Sequence, residues 1–220
     1  MKKPIVSPSV LGADFLHFDN EINKIKDAGM TWIHFDVMDG HFVKNVSFGS
    51  LFLKKICKNI DLVKDVHIMI ENPLEHIEKF AECGANYLTF HYEACKSDAE
   101  VFKVIDKIHE CGMKAGISIK PKTPVAKIYP FLHSLDLVLV MSVEPGLGGQ
   151  KFIDMSLTKI SLLRSKIDDE ERVDVLISVD GGINDQTGPD CLKVGADVLV
   201  VGQYLFGHDD FKERYQKLLK

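Results

Sequence analysis

The chain of 220 residues carries 27 Lys and Arg against 32 Asp and Glu, a formal charge of −5. Hydrophobic residues make up 45% and charged residues 27%, which fits an ordinary globular protein and excludes disordered, collagenous and coiled-coil classes. Without a Lys/Arg block the chain has little pull on a phosphodiester backbone or an anionic lipid surface, so neither nucleic acid nor membrane is an expected partner.

Cys57, Cys83, Cys95, Cys111 and Cys191 form an odd set with no C-x-x-C pair, which argues against a disulfide framework or zinc ribbon and for a reducing, cytoplasmic setting. The basic start Met1-Lys2-Lys3-Pro4 leads into an apolar stretch that reaches only to about Leu11 and is cut by Asp14, too early for a signal peptide. No run approaches the roughly 18 apolar residues of a membrane span.

Taken in chain order, the first short apolar run rich in β-branched residues starts near Pro4. The second starts near Thr31 and reads Trp32-Ile33-His34-Phe35-Asp36-Val37-Met38-Asp39-Gly40. Side chains alternate across a strand, so Ile33, Phe35 and Val37 share one face and His34, Asp36 and Met38 the other. A long connection from Asp39 through Ser50, with Phe42, Lys44 and Asn45, reads equally as a water-excluding lid or as an ordinary surface loop. The third run starts near Val63, and its Val66, Ile68 and Ile70 alternate with His67 and Met69. Asn72-Pro73 then reads as an N-cap with proline at the first helical position, ahead of Leu74, Ile77 and Ala81, with Gly84 as the stop.

The fourth run starts near Asn86. After it, Ser97-Asp98-Ala99-Glu100 has the form of a capping box, and Val101, Val104, Ile105 and Ile108 follow the spacing of one helical face. Further runs start near Met113, Asp136, Asp174 and Ala196. The sixth ends at Met141 and leads to Gly146-Leu147-Gly148-Gly149-Gln150; the seventh reads Ile177-Ser178-Val179-Asp180-Gly181-Gly182; Gly202 follows the eighth.

Strand and helix alternating eight times without a linker predict a single domain over residues 1–220, in the α/β class. Eight units averaging about 27.5 residues suggest a compact closed (β/α)₈ TIM barrel. A doubly wound open sheet is the competitor, although no G-x-G-x-x-G follows the first strand.

A barrel interior normally holds bulky aliphatics, and an unpaired buried carboxylate is costly there. Two imidazoles and two carboxylates, His34, Asp36, His67 and Asp180, are most simply explained by one divalent cation. Nitrogen and oxygen donors without thiolate suit zinc, and also iron, manganese or cobalt. Met38, Met69 and Met141 fall at strand ends on the same face, where they would give a soft, dry lining around a charged intermediate. Glycine clusters at three adjacent strand ends let backbone amides converge on an anion, which points to a phosphate held largely by neutral N–H groups.

These residues resemble the ribulose-phosphate 3-epimerase family from Ser7-Pro8-Ser9 to Leu205-Phe206. The most specific segments are His34-Phe35-Asp36-Val37-Met38-Asp39-Gly40-His41-Phe42-Val43, Asp65-Val66-His67-Ile68-Met69, Val140 through Gln150, and Val179-Asp180-Gly181-Gly182. The resemblance implies a metal-dependent isomerase of the pentose phosphate pathway that interconverts D-ribulose 5-phosphate and D-xylulose 5-phosphate. It implies one metal per subunit at His34, Asp36, His67 and Asp180, with Asp36 and Asp180 as acid/base pair, and a homo-oligomer, dimer or larger. Substrate contacts would fall on Ser7, His67, Gly146, Leu147, Gly148, Gly149, Asp180, Gly181, Gly182, Gly202 and Gln203. Gln203 departs from the serine the family usually has beside that glycine, which leaves a hexose phosphate as an alternative substrate. A decarboxylase of the similar phosphate-barrel group would want Asp-x-Lys-x-x-Asp, and Asp36-Val37-Met38-Asp39 lacks the lysine. A non-catalytic sugar-phosphate sensor would keep the glycine loops without needing paired carboxylates at a metal.

Overall fold

The computed structural model describes residues 3–171 and 174–220, so Met1 and Lys2 of the basic start lie outside the described residues. Eight strands form one parallel sheet: β1 (Ile5–Pro8), β2 (Trp32–Met38), β3 (Val63–Met69), β4 (Tyr87–His91), β5 (Lys114–Ile119), β6 (Leu137–Met141), β7 (Leu176–Asp180) and β8 (Val198–Val201). The order is β1-β8-β7-β6-β5-β4-β3-β2, and a parallel bridge between Ser9 and His34 joins the two ends. That bridge decides between the two architectures: the sheet closes into a (β/α)₈ barrel.

Among the described residues seven α-helices lie outside it: α1 (Phe18–Asp27), α2 (Ser50–Ile56), α3 (Ile77–Ala81), α4 (Asp98–Glu110), α5 (Met155–Asp169), α6 (Thr187–Lys193) and α7 (Phe211–Leu218). In α4 the Ser97 side chain accepts from the Glu100 amide at 3.3 Å, as expected of a cap. The Glu100 carboxylate reaches back one residue further than a capping box requires, accepting from the Lys96 amide at 2.7 Å. Val101, Val104, Ile105 and Ile108 are all buried against the barrel, each worth about 1.5–3 kcal/mol of transfer free energy.

Two connections differ from their sequence reading. Asn72 makes no side-chain cap; it sits in the left-handed region at φ 51°, and its carbonyl accepts from the Glu75 amide at 3.1 Å. Asparagine tolerates that conformation better than most residues, so the chain forms a 3₁₀ turn over Pro73–Glu75 before the short α3. Gly84, at φ 79°, does end this unit. Between β5 and β6 the crossover is a 3₁₀ helix, Val125–Ser134, with Pro130 inside it. Proline removes an amide donor an α-helix would use, and buried Val125, Ile128 and Phe131 recur every three residues, the 3₁₀ repeat.

The main core lies between barrel and helices. Inside the barrel, Trp32, Leu137, Leu139, Val198 and Val200 form a separate apolar plug below the C-terminal strand ends. Register then lifts the polar residues to one level: Asp36 pairs with His67, Met38 with Met69, and Met141 with Asp180. Among the described residues no helix is long and apolar enough to cross a membrane.

Candidate active site

At the C-terminal ends of the strands a cavity of about 1130 Å³ opens above the apolar plug. Its floor is the end of β2 and β7, three strands apart around the barrel, with Asp36 buried and Asp180 half-buried. One donor atom from each of His34, Asp36, His67 and Asp180 lies within 4.8 Å of all the others.

The centre of this group is Asp36. Its Oδ1 lies 3.1 Å from His34 Nε2 and 2.9 Å from His67 Nδ1, and its Oδ2 accepts from Ser9 Oγ at 2.7 Å. Each imidazole is held from behind: His34 Nδ1 is 2.7 Å from Asp65 Oδ2, and His67 Nε2 is 2.9 Å from His91 Nε2. His91 Nδ1 in turn lies 3.2 Å from Glu93 Oε2. Burial raises the Asp36 carboxyl, but the charge of His34 and hydrogen bonds with His34 and His67 outweigh it and hold Asp36 well below the ordinary carboxylate range. Asp180 moves the other way, pushed up to about 8 by burial and by the negative charge of Asp36. Burial lowers His34, yet Asp36 and Asp65 together leave it well above the usual imidazole value.

This set fits a divalent cation. Two nitrogens and two carboxylates face one point, the far nitrogen of each imidazole is engaged, and a carboxylate forced to hold a proton beside another carboxylate marks negative charge that a cation would relieve.

Around the floor stand the remaining residues singled out in the sequence. Met38, Met69 and Met141 line the cavity, as do Gly146 to Gly149, Gly181, Gly182, Gly202 and Gln203, with Leu147 exposed at the mouth. Glycine is geometrically required at both positions of the turn that follows β7. A Cβ on Gly181 (φ 118°) would come within 2.4 Å of Val143, and one on Gly182 (φ 64°) within 2.6 Å of the Phe152 amide nitrogen. Gln203 packs its side-chain amide on Gly149, where a Cβ would meet it at 2.7 Å. Arg214 reaches the same wall, but its guanidinium is engaged by Asp210 and the Tyr204 carbonyl.

Ser7 is fully buried, its Oγ has no hydrogen-bond partner, and it does not line the cavity; Ser9, one pleat closer to the strand end, does. The loop after β2 is pinned in place. Asp39 accepts from the amides of His41, Phe42 and Glu71, Asn45 donates to the Gly146 carbonyl at 2.6 Å, and the Phe42 ring lies 4.8 Å from the His91 ring.

Sequence reasoning passed over Ser9, Asp65, His91 and Glu93. Ser9 was recoverable, since strand alternation puts it on the same face as Ser7. Asp65 and His91 act through cross-strand partners that no local spacing reveals, and Glu93 acts on the site only through His91.

The description of the ribulose-phosphate 3 epimerase family matches residues 5–206. A ribulose-phosphate 3-epimerase of Bacillus subtilis is 43% identical over 213 residues, covering 97% of both chains. One of Chlamydia muridarum is 38% identical over 222 residues, covering 100% of this chain and 96% of the relative. Among solved structures, 3-hexulose-6-phosphate synthase from Salmonella typhimurium superposes with a TM-score of 0.67 at 18% identity, over 98% of this chain and 96% of that one, a likeness of fold. Sequence match over nearly its whole length and a closed barrel with this polar floor agree: the chain belongs to the ribulose-phosphate 3-epimerase family of isomerases.

Proposed function

We propose that the chain inverts C3 of D-ribulose 5-phosphate, giving D-xylulose 5-phosphate and the reverse. Epimerisation next to a carbonyl removes a proton from one face of the carbon and returns one to the other, so it needs two acid/base groups flanking the substrate. The observation that carries the reading is geometric: Asp36 and Asp180 reach one floor from strands three apart around the closed barrel, each offering an oxygen within 4.8 Å of the other's. Asp36 then takes the C3 proton in one direction while Asp180 delivers one to the opposite face, and the roles exchange in the other direction.

A divalent cation held by His34, Asp36, His67 and Asp180, zinc first and otherwise iron, manganese or cobalt, would supply positive charge against the substrate oxygens as the C3 proton leaves. Ser9 keeps the second oxygen of Asp36 oriented. The methionines exclude water from the floor, and the backbone amides of the loops after β6, β7 and β8 offer the phosphate its donors.

The test is turnover of pentose against hexose ketose phosphates by protein stripped with a chelator and by protein reloaded with metal. Expected are pentose epimerisation, its loss on stripping and its return on reloading. A preference for the hexose phosphate moves the substrate assignment, and full activity in stripped protein removes the metal from the account.

A further inference from the structure

His34 and His67 are oriented by different means. His34 has a carboxylate directly behind it, whereas His67 has a second histidine, and only behind that a carboxylate, Glu93. Two imidazole nitrogens 2.9 Å apart must divide their roles, one donating and one accepting, because neutral imidazole carries one proton. The two arrangements have opposite consequences for the cation. If His67 donates through Nε2, its Nδ1 lone pair faces Asp36 and the cation position. If it accepts there, Nδ1 carries the proton and cannot ligate.

Glu93 decides between them. Its Oε1 accepts from the Lys120 amide at 2.8 Å and from the Thr123 hydroxyl, which fixes the carboxylate with Oε2 toward His91. Both donors belong to a segment that buried Lys159 ties down from α5, its ammonium donating to the Lys120 carbonyl at 3.0 Å and the Thr123 carbonyl at 2.6 Å. Facing an anionic oxygen, His91 Nδ1 must donate; His91 Nε2 must then accept, and His67 Nε2 must donate. The Phe42 ring packs on His91 and the Lys120 ammonium lies 3.9 Å above that ring, which shields the line from water.

Resting on the reading of the floor as a cation site, we infer that Glu93, acting through His91, is the positioning residue that sets the His67 tautomer and so leaves His67 Nδ1 free to bind the cation. The chemistry makes an unusual demand on substitution. In Glu93→Gln the amide oxygen keeps the Lys120 and Thr123 donors, so the amide nitrogen faces His91 Nδ1 and donates to it. Every link then reverses, and His67 presents a proton to the cation position. Glu93→Ala removes the bias without reversing it. A role in packing alone makes the isosteric Glu93→Gln the milder change; tautomer control makes it the harsher one.

The experiment is competition for Zn(II) between the full chain and a chromophoric chelator, with no substrate present. Wild type should bind one Zn(II), Glu93→Ala about tenfold more weakly and Glu93→Gln about a hundredfold more weakly, the range over which outer ligand partners act. Glu93→Gln binding Zn(II) as tightly as Glu93→Ala, or tighter, overturns the inference. Nitrogen-15 NMR of the zinc-loaded wild type reads the same claim without a variant: His91 protonated on Nδ1 and His67 on Nε2 are expected, and His91 protonated on Nε2 overturns it. Failure of wild type to bind Zn(II) at all instead removes the cation site, and the inference with it.

Discussion

Ser7 and Ser9 differ by one step of the strand period, and that step separates a hydroxyl sealed in the barrel from one that donates to Asp36 at 2.7 Å. At this scale the sequence was legible wherever alternation alone settles the face. His34, Asp36, His67 and Asp180 stand out because polar groups occupy positions where a barrel wants aliphatics. It was not legible where a residue's meaning comes from a partner on another strand, as with Asp65 behind His34 and His91 behind His67. Gly116 is a further case. Its Cα faces Thr89 in the neighbouring strand, and a Cβ there would come within 2.2 Å of the Thr89 hydroxyl, with both residues fully enclosed. Gly116→Ala should therefore cost about 1–3 kcal/mol in urea unfolding, the usual penalty of an overfilled core. Adding Thr89→Ala should recover part of that loss, and a loss unchanged by the second substitution would place its cause elsewhere.

The elements were legible to the extent that their apolar periods are regular. Each strand begins within two residues of the run that announces it, and α4 lies on the face its valines and isoleucines mark. The 3₁₀ crossover before β6 was not, because Pro130 and a three-residue repeat distinguish it from an α-helix only weakly in a short segment. What holds this part of the molecule at the far end of the barrel is Asp136, which accepts from His109 of α4 at 2.9 Å and from the Lys114 ammonium and Ala115 amide of β5 at 2.9 and 2.8 Å. Burial raises its carboxyl, but the bonds from Lys114, His109 and Ala115 outweigh that and lower it. A folded value below the unfolded one gives stability that is complete above about pH 3.9 and lost as pH falls through the lowered value. The urea midpoint of wild type should thus fall more between about pH 5 and about pH 2 than that of Asp136→Asn. Parallel curves would show that this tether contributes nothing to acid sensitivity.

For the whole molecule, closure is what turns a list of polar strand residues into a site. In an open sheet β2 and β7 would lie far apart; the bridge from Ser9 to His34 brings their aspartates to one floor, over an apolar plug and beneath glycine loops. Sequence pattern left the closed and open forms in competition, and only the pairing of first and last strands in the sheet order separates them. In the proposed reaction these two carboxylates divide the proton transfer between opposite faces of C3. The decisive experiment follows C3 deuterium uptake from D₂O in Asp36→Asn and Asp180→Asn with metal content verified. Each variant should lose epimerisation by about 10²–10⁴-fold, the range of a positioned acid or base, while still exchanging the C3 hydrogen of the one epimer whose proton faces the surviving aspartate. Near wild-type epimerisation by either variant with metal bound would contradict that division.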